Sequence, residues 1–251
     1  MQKFNHLYFK KLFKIAPFNF FEKFFYRFAI NSTNIFAASL INSYDSNFVV
    51  LADYQYKGKG RFDRKWISPP AENLYFSIVL QNNFILPQNK ILFKSANAVL
   101  KTLKSYNPDF KIKWPNDIIF HNKKISGILI ENIYSSEKIT ATIIGIGINI
   151  NTAFNSNNRF KAISLKEITN TELRREEVLE NFLRNFIDEY KNTDSFNYWR
   201  KNLAFKNKKI RFHIYDKYIG GTFHKVDKKG NIMLITDSGK IKKYNLGEII
   251  L

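Results

Sequence analysis

The chain has 251 residues, of which 45% are hydrophobic, and it carries a formal net charge of +19. This length fits one large domain with or without a small appendage, and no run of 18 apolar residues suggests a membrane span, so we expect a soluble protein. The absence of cysteine excludes disulfides, thiolate metal sites and a cysteine nucleophile, and the four histidines lack ligand-like spacing, so we expect no structural metal.

The positive charge is compatible with two kinds of partner. A basic domain attracts the phosphate backbone of nucleic acids, and it would also steer encounter with an acidic protein. The chain is rich in Lys, Asn, Ile and Phe throughout, which an AT-biased genome produces without selection for any partner. The charge alone therefore does not identify the partner.

Residues 1–22 form a basic, aromatic segment with no acidic residue before Glu22. An amphipathic helix that ends at Pro17 and a remnant of a targeting sequence both fit this composition. Lysines interrupt every apolar run, which argues against a secretory signal. We expect a short extension that packs on the main domain or frays, and it is too short for a winged helix-turn-helix domain.

The main domain begins with alternating strand and helix signals. Lys23–Ile30 predicts a strand, and the Ser32–Thr33 pair is expected to cap a helix over about Asn34–Ile41. Two apolar runs, at residues 48–52 and 73–80, predict buried strands. The segment between these two runs must be a loop.

This loop concentrates glycines and cations. The glycines are Gly58 and Gly60, and the cations are Lys57, Lys59, Arg61, Arg64 and Lys65. Glycine lets successive backbone N–H groups converge on an anion such as phosphate, and the cations add charge at the same place. Trp66 follows directly and offers a flat face for a base. A solvated basic hairpin tip is the alternative interpretation.

Polar residues stand at strand ends in two further places. The predicted strand Lys111–Trp114 runs into Pro115, which cannot donate to a β-ladder, so Asn116 and Asp117 are expected where pairing stops. The following strands, which include the buried run Ile143–Ile150, carry Lys124, Gly127, Gly145, Gly147 and Asn149. Each feature alone is typical of a core strand that contains glycine.

Two long helices and a set of short strands complete the chain. Helices are predicted over Pro87–Tyr106 and Thr171–Tyr190, the second opened by a capping box over Thr169–Glu172, and both are expected on one face of a mixed sheet. Four short strands between turn signals follow, at residues 209–214, 218–226, 231–236 and 240–244. They predict a small β-barrel.

The order and spacing of these segments resemble the biotin protein ligases. The matching stretches are Asn31–Asn34, Gln55, Gly58–Arg61, Trp66–Ser77, Lys113–Asp117, Lys124–Glu131 and Gly145–Asn149. The resemblance implies an α+β fold with a mixed central β-sheet and helices, like class II aminoacyl-tRNA synthetases, plus a small C-terminal SH3-like β-barrel. It implies an N-terminal extension at 1–22, a catalytic domain at 23–200 and the SH3-like domain at 201–251, without the N-terminal DNA-binding domain of some members.

The resemblance also implies an activity. Biotin would react with ATP and Mg²⁺ to give biotinyl-5′-AMP and pyrophosphate, and biotin would then pass to a specific lysine in the biotin-carrier domain of a carboxylase, forming a C–N bond. It further implies a cytoplasmic enzyme that can form a homodimer, with no membrane span and no specific DNA binding.

Candidate site residues follow from the same resemblance. Biotin would be bound by Ser32, Thr33, Asn34, Gln55, Gly58, Lys59, Gly60, Arg61, Lys124 and Gly127. ATP and the adenylate would be bound by Lys59, Arg61, Arg64, Trp66, Asn116, Asp117, Lys124 and Asn149. Arg61, Lys124 and Asp117 would carry the catalysis, Trp66 would stack on adenine, and no residue is assigned to a protein-held metal.

The basic loop departs from the family's usual GRGRxGR pattern at two positions. Lys59 stands at the second position, and because lysine lacks the planar fork of arginine, bidentate contact with phosphate is not expected from it. Asp63 replaces the later glycine, and Asp visits the left-handed backbone region more readily than most residues.

Two alternative functions stay open at this point. A lipoate protein ligase shares the general fold and performs the same adenylation on a longer acyl tail, but that family lacks the GxGR and KWPND signatures in this arrangement. A non-enzymatic, basic nucleic-acid-binding module would use the positive surface without chemistry.

Overall fold

A computed structural model describes residues 4–5, 7–8, 20–154 and 161–250, which include two β-sheets, five α-helices and three short 3-10 helices. The strands of the larger sheet are β1 (Lys23–Ile30), β2 (Phe48–Gln55), β3 (Leu74–Gln81), β4 (Phe110–Lys113), β5 (Asp117–Phe120), β6 (Lys123–Ser135) and β7 (Lys138–Ile148). The helices are α1 (Thr33–Leu40), α2 (Gln88–Lys104), α3 (Leu165–Thr169), α4 (Arg175–Lys191) and α5 (Ser195–Lys201).

The larger sheet is mixed, with the strand order β1-β2-β3-β7-β6-β5-β4. Only β1 and β2 pair in parallel, and the other neighbours are antiparallel. In this register Gly147 on β7 lies between Tyr75 on β3 and Gly127 on β6. The glycines noted in the sequence therefore meet in the middle of the sheet, and the predicted α+β class is confirmed.

Helices cover both faces of this sheet. On one face α2 and α4 pack over the main apolar core, where the rings of Phe76 and Phe182 lie 5.0 Å apart. This is the arrangement predicted from their apolar stripes. The opposite face is covered by α1, whose Ala37 packs in a second cluster with Val50 and Val79. None of the helices in the described part of the chain has the length and apolar character that a membrane crossing requires.

The predicted start of the second long helix is wrong. That helix begins at Arg175, and the capping box lies instead at Ser164 and Glu167, where it opens α3. Thr169 is the last residue of α3 instead of the cap of the following helix, and its hydroxyl donates to the Leu165 carbonyl within α3. Asn170 then adopts the left-handed conformation, which ends α3 and separates it from α4.

The C-terminal sheet is antiparallel and has five strands in the described chain. They are β8 (Lys209–Ile214), β9 (Lys217–Val226), β10 (Ile232–Ile235), β11 (Ile241–Tyr244) and β12 (Glu248–Ile250), ordered β11-β10-β9-β8-β12. The four predicted strands are confirmed, whereas β12 and helix α5 were not predicted. The described edge strands β11 and β12 do not pair with each other, so the sheet is SH3-like in size but is not closed into a barrel.

The two sheets share one apolar core. Trp114 directly follows β4 of the larger sheet, and its ring centroid lies 5.6 Å from that of Phe212 on β8. Both residues belong to the main core cluster. Because this core is shared, packing does not mark a boundary between the sheets, and the predicted domain limits at 1–22, 23–200 and 201–251 stay a prediction.

Part of the N-terminal extension packs on the main domain. Phe4 is buried against Tyr26, and its backbone N–H donates to the Asp53 carboxylate at 3.3 Å. Packing is thus confirmed for this residue. The alternative helix ending at Pro17 lies outside the described residues.

Candidate active site

The candidate site lies on the α1-covered face of the larger sheet, where two paired glycines form its floor. A Cβ atom built on Gly127 or Gly147 would come less than 3.0 Å from the Trp66 indole. Only glycine therefore leaves room for a ring at these positions. The indole Nε1 of Trp66 is buried without a hydrogen-bond partner in the described structure.

A polar corner forms where the N-terminus of α1 meets the end of β2. The backbone N–H and the hydroxyl of Thr33 donate to Gln55 Oε1 at 2.8 and 3.1 Å, and Gln55 Nε2 donates to Ser68 Oγ at 3.2 Å. Ser32 stands at the N-cap position as predicted, but its side chain makes no capping hydrogen bond. The corner borders a cavity of about 290 Å³ lined by residues 54–58 and 65–69.

Asn34, next to the polar corner, belongs to a separate network of buried hydrogen bonds. Its Nδ2 donates to Glu131 Oε2 at 2.6 Å, and its Oδ1 accepts from Ser77 Oγ at 2.6 Å. A Cβ on Gly145 would come less than 3.0 Å from this amide, so glycine makes room for it. Both ends of the Asn34 amide are thus engaged by protein groups, and Asn34 shapes the site from behind.

The basic loop is a narrow hairpin closed by backbone hydrogen bonds. Gly60 N–H donates to the Arg64 carbonyl at 2.7 Å, and Trp66 N–H donates to the Gly58 carbonyl at 2.9 Å. At its tip Phe62 and Asp63 have φ values of 56° and 54°. The left-handed conformation expected for Asp63 is confirmed, and Phe62 adopts it as well.

Arg61 reaches from this loop to two other parts of the molecule. Its Nη1 donates to Asn116 Oδ1 and to the Gly247 carbonyl, both at 3.3 Å. Asn116 is itself fixed, because its Nδ2 donates to the Ile128 carbonyl at 2.5 Å. Burial lowers the pKa of Arg61, while the carboxylates of Asp117 and Glu248 act in the opposite direction. The result is a fixed, partly dehydrated cation.

Asp117 holds two lysines at the start of β5. Its Oδ1 lies 2.7 Å from Lys124 Nζ, and its Oδ2 lies 3.2 Å from Lys113 Nζ. Burial alone would raise the pKa of Asp117, but the two ammonium groups outweigh this effect and hold that pKa below its ordinary value. The Lys124 ammonium also lies 5.0 Å from the centre of the Trp66 ring. Asp117 is therefore ionised and aims Lys124 toward the glycine floor.

The structure brings together only part of the predicted set. Grouped around the glycine floor are Arg61, Trp66, Asn116, Asp117, Lys124 and Gly127, with Thr33, Gln55 and Gly58 at the adjoining cavity. Asn149 lies beside Lys124, where its Nδ2 donates to the Lys124 and Ile163 carbonyls and so supports the backbone of the site. The Lys59 side chain is exposed, and Arg64 turns toward Glu248.

Four residues at the site were missed by sequence reasoning. They are Ser68, Lys113, Glu131 and Glu248. Lys113 and Glu131 lie inside the recognised stretches, but their partners are 4 and 97 residues away, and strand alternation does not reveal such pairings. Glu248 lies on a strand of only three residues, which is too short to produce a periodic pattern.

The chain is similar in sequence to known ligases. Residues 25–149 match the family model described as the biotin/lipoate A/B protein ligase family. The bifunctional ligase/repressor BirA of Escherichia coli (strain K12) is 29% identical over 242 residues, covering 88% of this chain and 72% of BirA. The biotin–[acetyl-CoA-carboxylase] ligase of Paracoccus denitrificans is 32% identical over 129 residues, covering 48% of this chain and 51% of that protein.

A solved structure agrees with the fold of the chain over nearly its whole length. The biotin protein ligase from Aquifex aeolicus in complex with biotin and ATP superposes with a TM-score of 0.76 at 27% identity, covering 92% of this chain and 98% of that one. The matched segment contains the glycine floor, the basic loop, and Asp117 with its two lysine partners. On these grounds, residues 25–149 form a domain of the biotin/lipoate A/B protein ligase family.

Proposed function

We propose that the protein is a biotin protein ligase, an enzyme that activates biotin with ATP and transfers it to a lysine of a biotin-carrier domain, forming a C–N bond. One observation carries this proposal: the partly dehydrated cation Arg61 and the Asp117-oriented Lys124 converge on a glycine-floored site beside a polar cavity. A reaction between a carboxylate and a triphosphate needs this arrangement, because the two anions repel each other unless cations are fixed beforehand.

The polar corner suits the ring of biotin. A cyclic urea offers one carbonyl acceptor and two N–H donors, and the Gln55 amide and the Thr33 hydroxyl supply complementary groups beside the 290 Å³ cavity. Ser32, Gly58 and Gly60 would line the same pocket, and Asn34 would hold its wall. Lys59 is a weaker candidate because its side chain is exposed.

The first chemical step would form the mixed anhydride. A biotin carboxylate oxygen bonds to the α-phosphorus of ATP, the bond from that phosphorus to the bridging oxygen breaks, and pyrophosphate leaves. Arg61 and Lys124 would offset the charge that builds between the reactants. Asn116 fixes Arg61 in place through its side-chain oxygen. Trp66 would then move from the glycine floor to stack on adenine.

The second step would transfer the acyl group. The acceptor lysine's amine attacks the acyl carbon, AMP leaves and the amine loses a proton. Asp117 is a poor base for that proton in the ligand-free state, because two lysines hold its pKa low. Its role would therefore be to orient Lys124 and the incoming amine.

Magnesium would enter the site on the nucleotide. In the described residues no group of three or more His, Cys, Asp or Glu side chains could hold a metal ion. The carboxylate of Asp117 is already shared by two lysines. Since Mg²⁺ prefers phosphate oxygens and water when it serves ATP, the donor set fits a metal held chiefly by the substrate.

The partner of the second step would be the biotin-carrier domain of a carboxylase, and the enzyme would act in the cytoplasm. The net charge of +19 favours encounter with an acidic partner surface. A homodimer is compatible with this scheme. It is tested by measuring the molecular mass of the protein in solution at the concentration used for the assay. Specific DNA binding is not part of the proposal.

Replacing Lys124 by glutamine should slow adenylate formation far more than it weakens biotin binding. The ammonium acts on charge that develops in the transition state, so its loss affects kcat more than the dissociation constant of biotin. Single-turnover formation of biotinyl-AMP and calorimetric biotin binding measure the two effects separately. Equal losses would assign Lys124 to ground-state binding.

The basic loop should be protected from proteolysis when substrates bind. Its cations repel each other, with Asp63 the acidic residue inside residues 56–65, and an adenylate would supply an opposite charge. Trypsin should therefore cut near Lys57–Lys65 in the free protein, and biotin with ATP should suppress that cut strongly. Cleavage at Lys228 and Lys229, in the turn between β9 and β10, is the internal control. Equal cleavage rates at the loop under both conditions would contradict loop closure.

The proposal is tested by incubating the purified protein with biotin, ATP and Mg²⁺ and detecting biotinyl-AMP by mass spectrometry. Lipoate is added as a competitor, because the family includes lipoate ligases. We expect a biotinyl adenylate that excess lipoate does not suppress. Exclusive formation of the lipoyl adenylate would assign the chain to the other branch, and no adenylate at all would reject the proposal.

A further inference from the structure

Three consecutive residues, Gly247 and the first two residues of β12, bind cationic side chains of the candidate site. The Gly247 carbonyl accepts from Arg61 and the Ile249 carbonyl accepts from Lys113 at 3.2 Å, while Glu248 pairs with Arg64. The C-terminal sheet is thus attached to the basic loop and to the Asp117 cluster by one short strand. Sequence reasoning did not anticipate this strand.

The pair between Glu248 and Arg64 is bidentate. Arg64 Nη1 lies 2.8 Å from one carboxylate oxygen of Glu248, and Nη2 contacts the other oxygen. The Glu248 side chain is 12% exposed, whereas that of Arg64 is 54% exposed. Hydrogen bonding to this carboxylate raises the pKa of Arg64. His213 Nδ1 lies 3.6 Å from the same carboxylate.

We propose that Glu248 is an internal stand-in for a nucleotide phosphate, and this inference rests on the proposed function. The guanidinium fork of Arg64 is the group on the loop best suited to bind phosphate bidentately, and Glu248 occupies both of its nitrogens in the ligand-free enzyme. Glu248 also lies close enough to act on Arg61 electrostatically. A triphosphate must therefore displace this carboxylate from Arg64.

The surroundings of Glu248 distinguish it from an ordinary surface ion pair. Arg174 and Glu177 form such a pair, with side chains that are 58% and 56% exposed, and neither contacts the basic loop in the described structure. Glu248 is mostly buried and is flanked by two backbone carbonyls that bind site cations. Glu248 is therefore placed to lower the affinity for nucleotide and to couple that affinity to the position of the C-terminal sheet.

The test measures nucleotide binding directly. The probe is α,β-methylene-ATP with Mg²⁺ and saturating biotin, since its methylene bridge blocks adenylation. Glu248→Gln should bind the probe about three to ten times more tightly than the unmodified chain, as expected for removal of a competing ion pair. Glu248→Ala should give the same shift, and the matched control Glu177→Gln should give none. In an Arg64→Gln background the substitution Glu248→Gln should have no effect.

Each outcome is decisive for the inference. Unchanged or weaker binding in the folded Glu248 variants, checked by their thermal unfolding, would overturn it and make Glu248 a positioning residue for the loop. Persistence of the effect without Arg64 would also overturn it. If the unmodified chain bound no nucleotide, the proposed function itself would fail, which separates the two results.

Discussion

Replacing Arg61 by alanine is expected to lower the rate of biotinyl-AMP formation by on the order of 10² to 10³ while the fold is retained. The guanidinium is fixed by Asn116 Oδ1 and the Gly247 carbonyl, and burial removes part of its water before the substrates arrive. A preorganised donor of this kind contributes most when charge builds in the transition state. The measurement is single-turnover adenylate formation at saturating biotin and ATP.

Arg200→Ala is the matched control for this variant. Arg200 is exposed at the end of α5, and its described hydrogen bond is to Asn197 on the same helix. Its removal should leave the adenylation rate unchanged. A normal rate in Arg61→Ala, with thermal unfolding as in the unmodified chain, would remove Arg61 from the mechanism.

Replacing Asp117 by asparagine is expected to destabilise the protein by about 3 kcal/mol at neutral pH, because it leaves two partly buried ammonium groups without their counter-charge. Lys113 is as buried as Asp117, and both lysines lie within 3.2 Å of the Asp117 carboxylate. The same change should strongly reduce adenylation, since Lys124 loses the group that aims it. Urea unfolding at pH 7 measures the loss of stability.

The pH dependence gives this prediction a second readout. The pKa of Asp117 is lower in the folded state than its ordinary value of 3.8. A depressed carboxylate pKa stabilises the fold at every pH above the unfolded value, and that stabilisation disappears as the pH falls from there through the folded pKa. Asp117→Asn should therefore flatten the stability profile below about pH 4.

Asp216→Asn is the control for the acid profile, because Asp216 is exposed in the turn between β8 and β9. Its stability should follow that of the unmodified chain both at pH 7 and below about pH 4. If Asp117→Asn unfolded at the same urea concentration and with the same acid profile as the unmodified chain, the Lys113–Asp117–Lys124 cluster would not stabilise the fold.

Much of the framework was predictable because its signals are local. The strand Lys23–Ile30 and the strand Lys209–Ile214 have the predicted limits, and the buried stripe of α4 contains Phe182 and Phe186 as expected. Lys209–Ile214 alternates exposed and buried side chains over its first four residues, and α4 buries helically spaced ones. Such patterns are visible in sequence. The left-handed position of Asp63 also followed from the intrinsic preference of one residue type.

The rest depended on contacts between distant parts of the chain. The indole of Trp66 lies against Gly147, which is 81 residues away, and Arg61 reaches Gly247 across 186 residues. Neither contact leaves a periodic signal. The capping box was misplaced because two candidate pairs stand five residues apart, and only the left-handed Asn170 decides between them.

The most direct test of adenylation is exchange of labelled pyrophosphate into ATP. An enzyme that forms biotinyl-AMP reversibly will incorporate the label only when biotin and Mg²⁺ are both present, and it needs no carrier protein to do so. We expect biotin-dependent exchange in the unmodified chain and its loss in Arg61→Ala. Absence of exchange in the unmodified chain, or exchange that proceeds equally well without biotin, would rule out biotin adenylation by this protein.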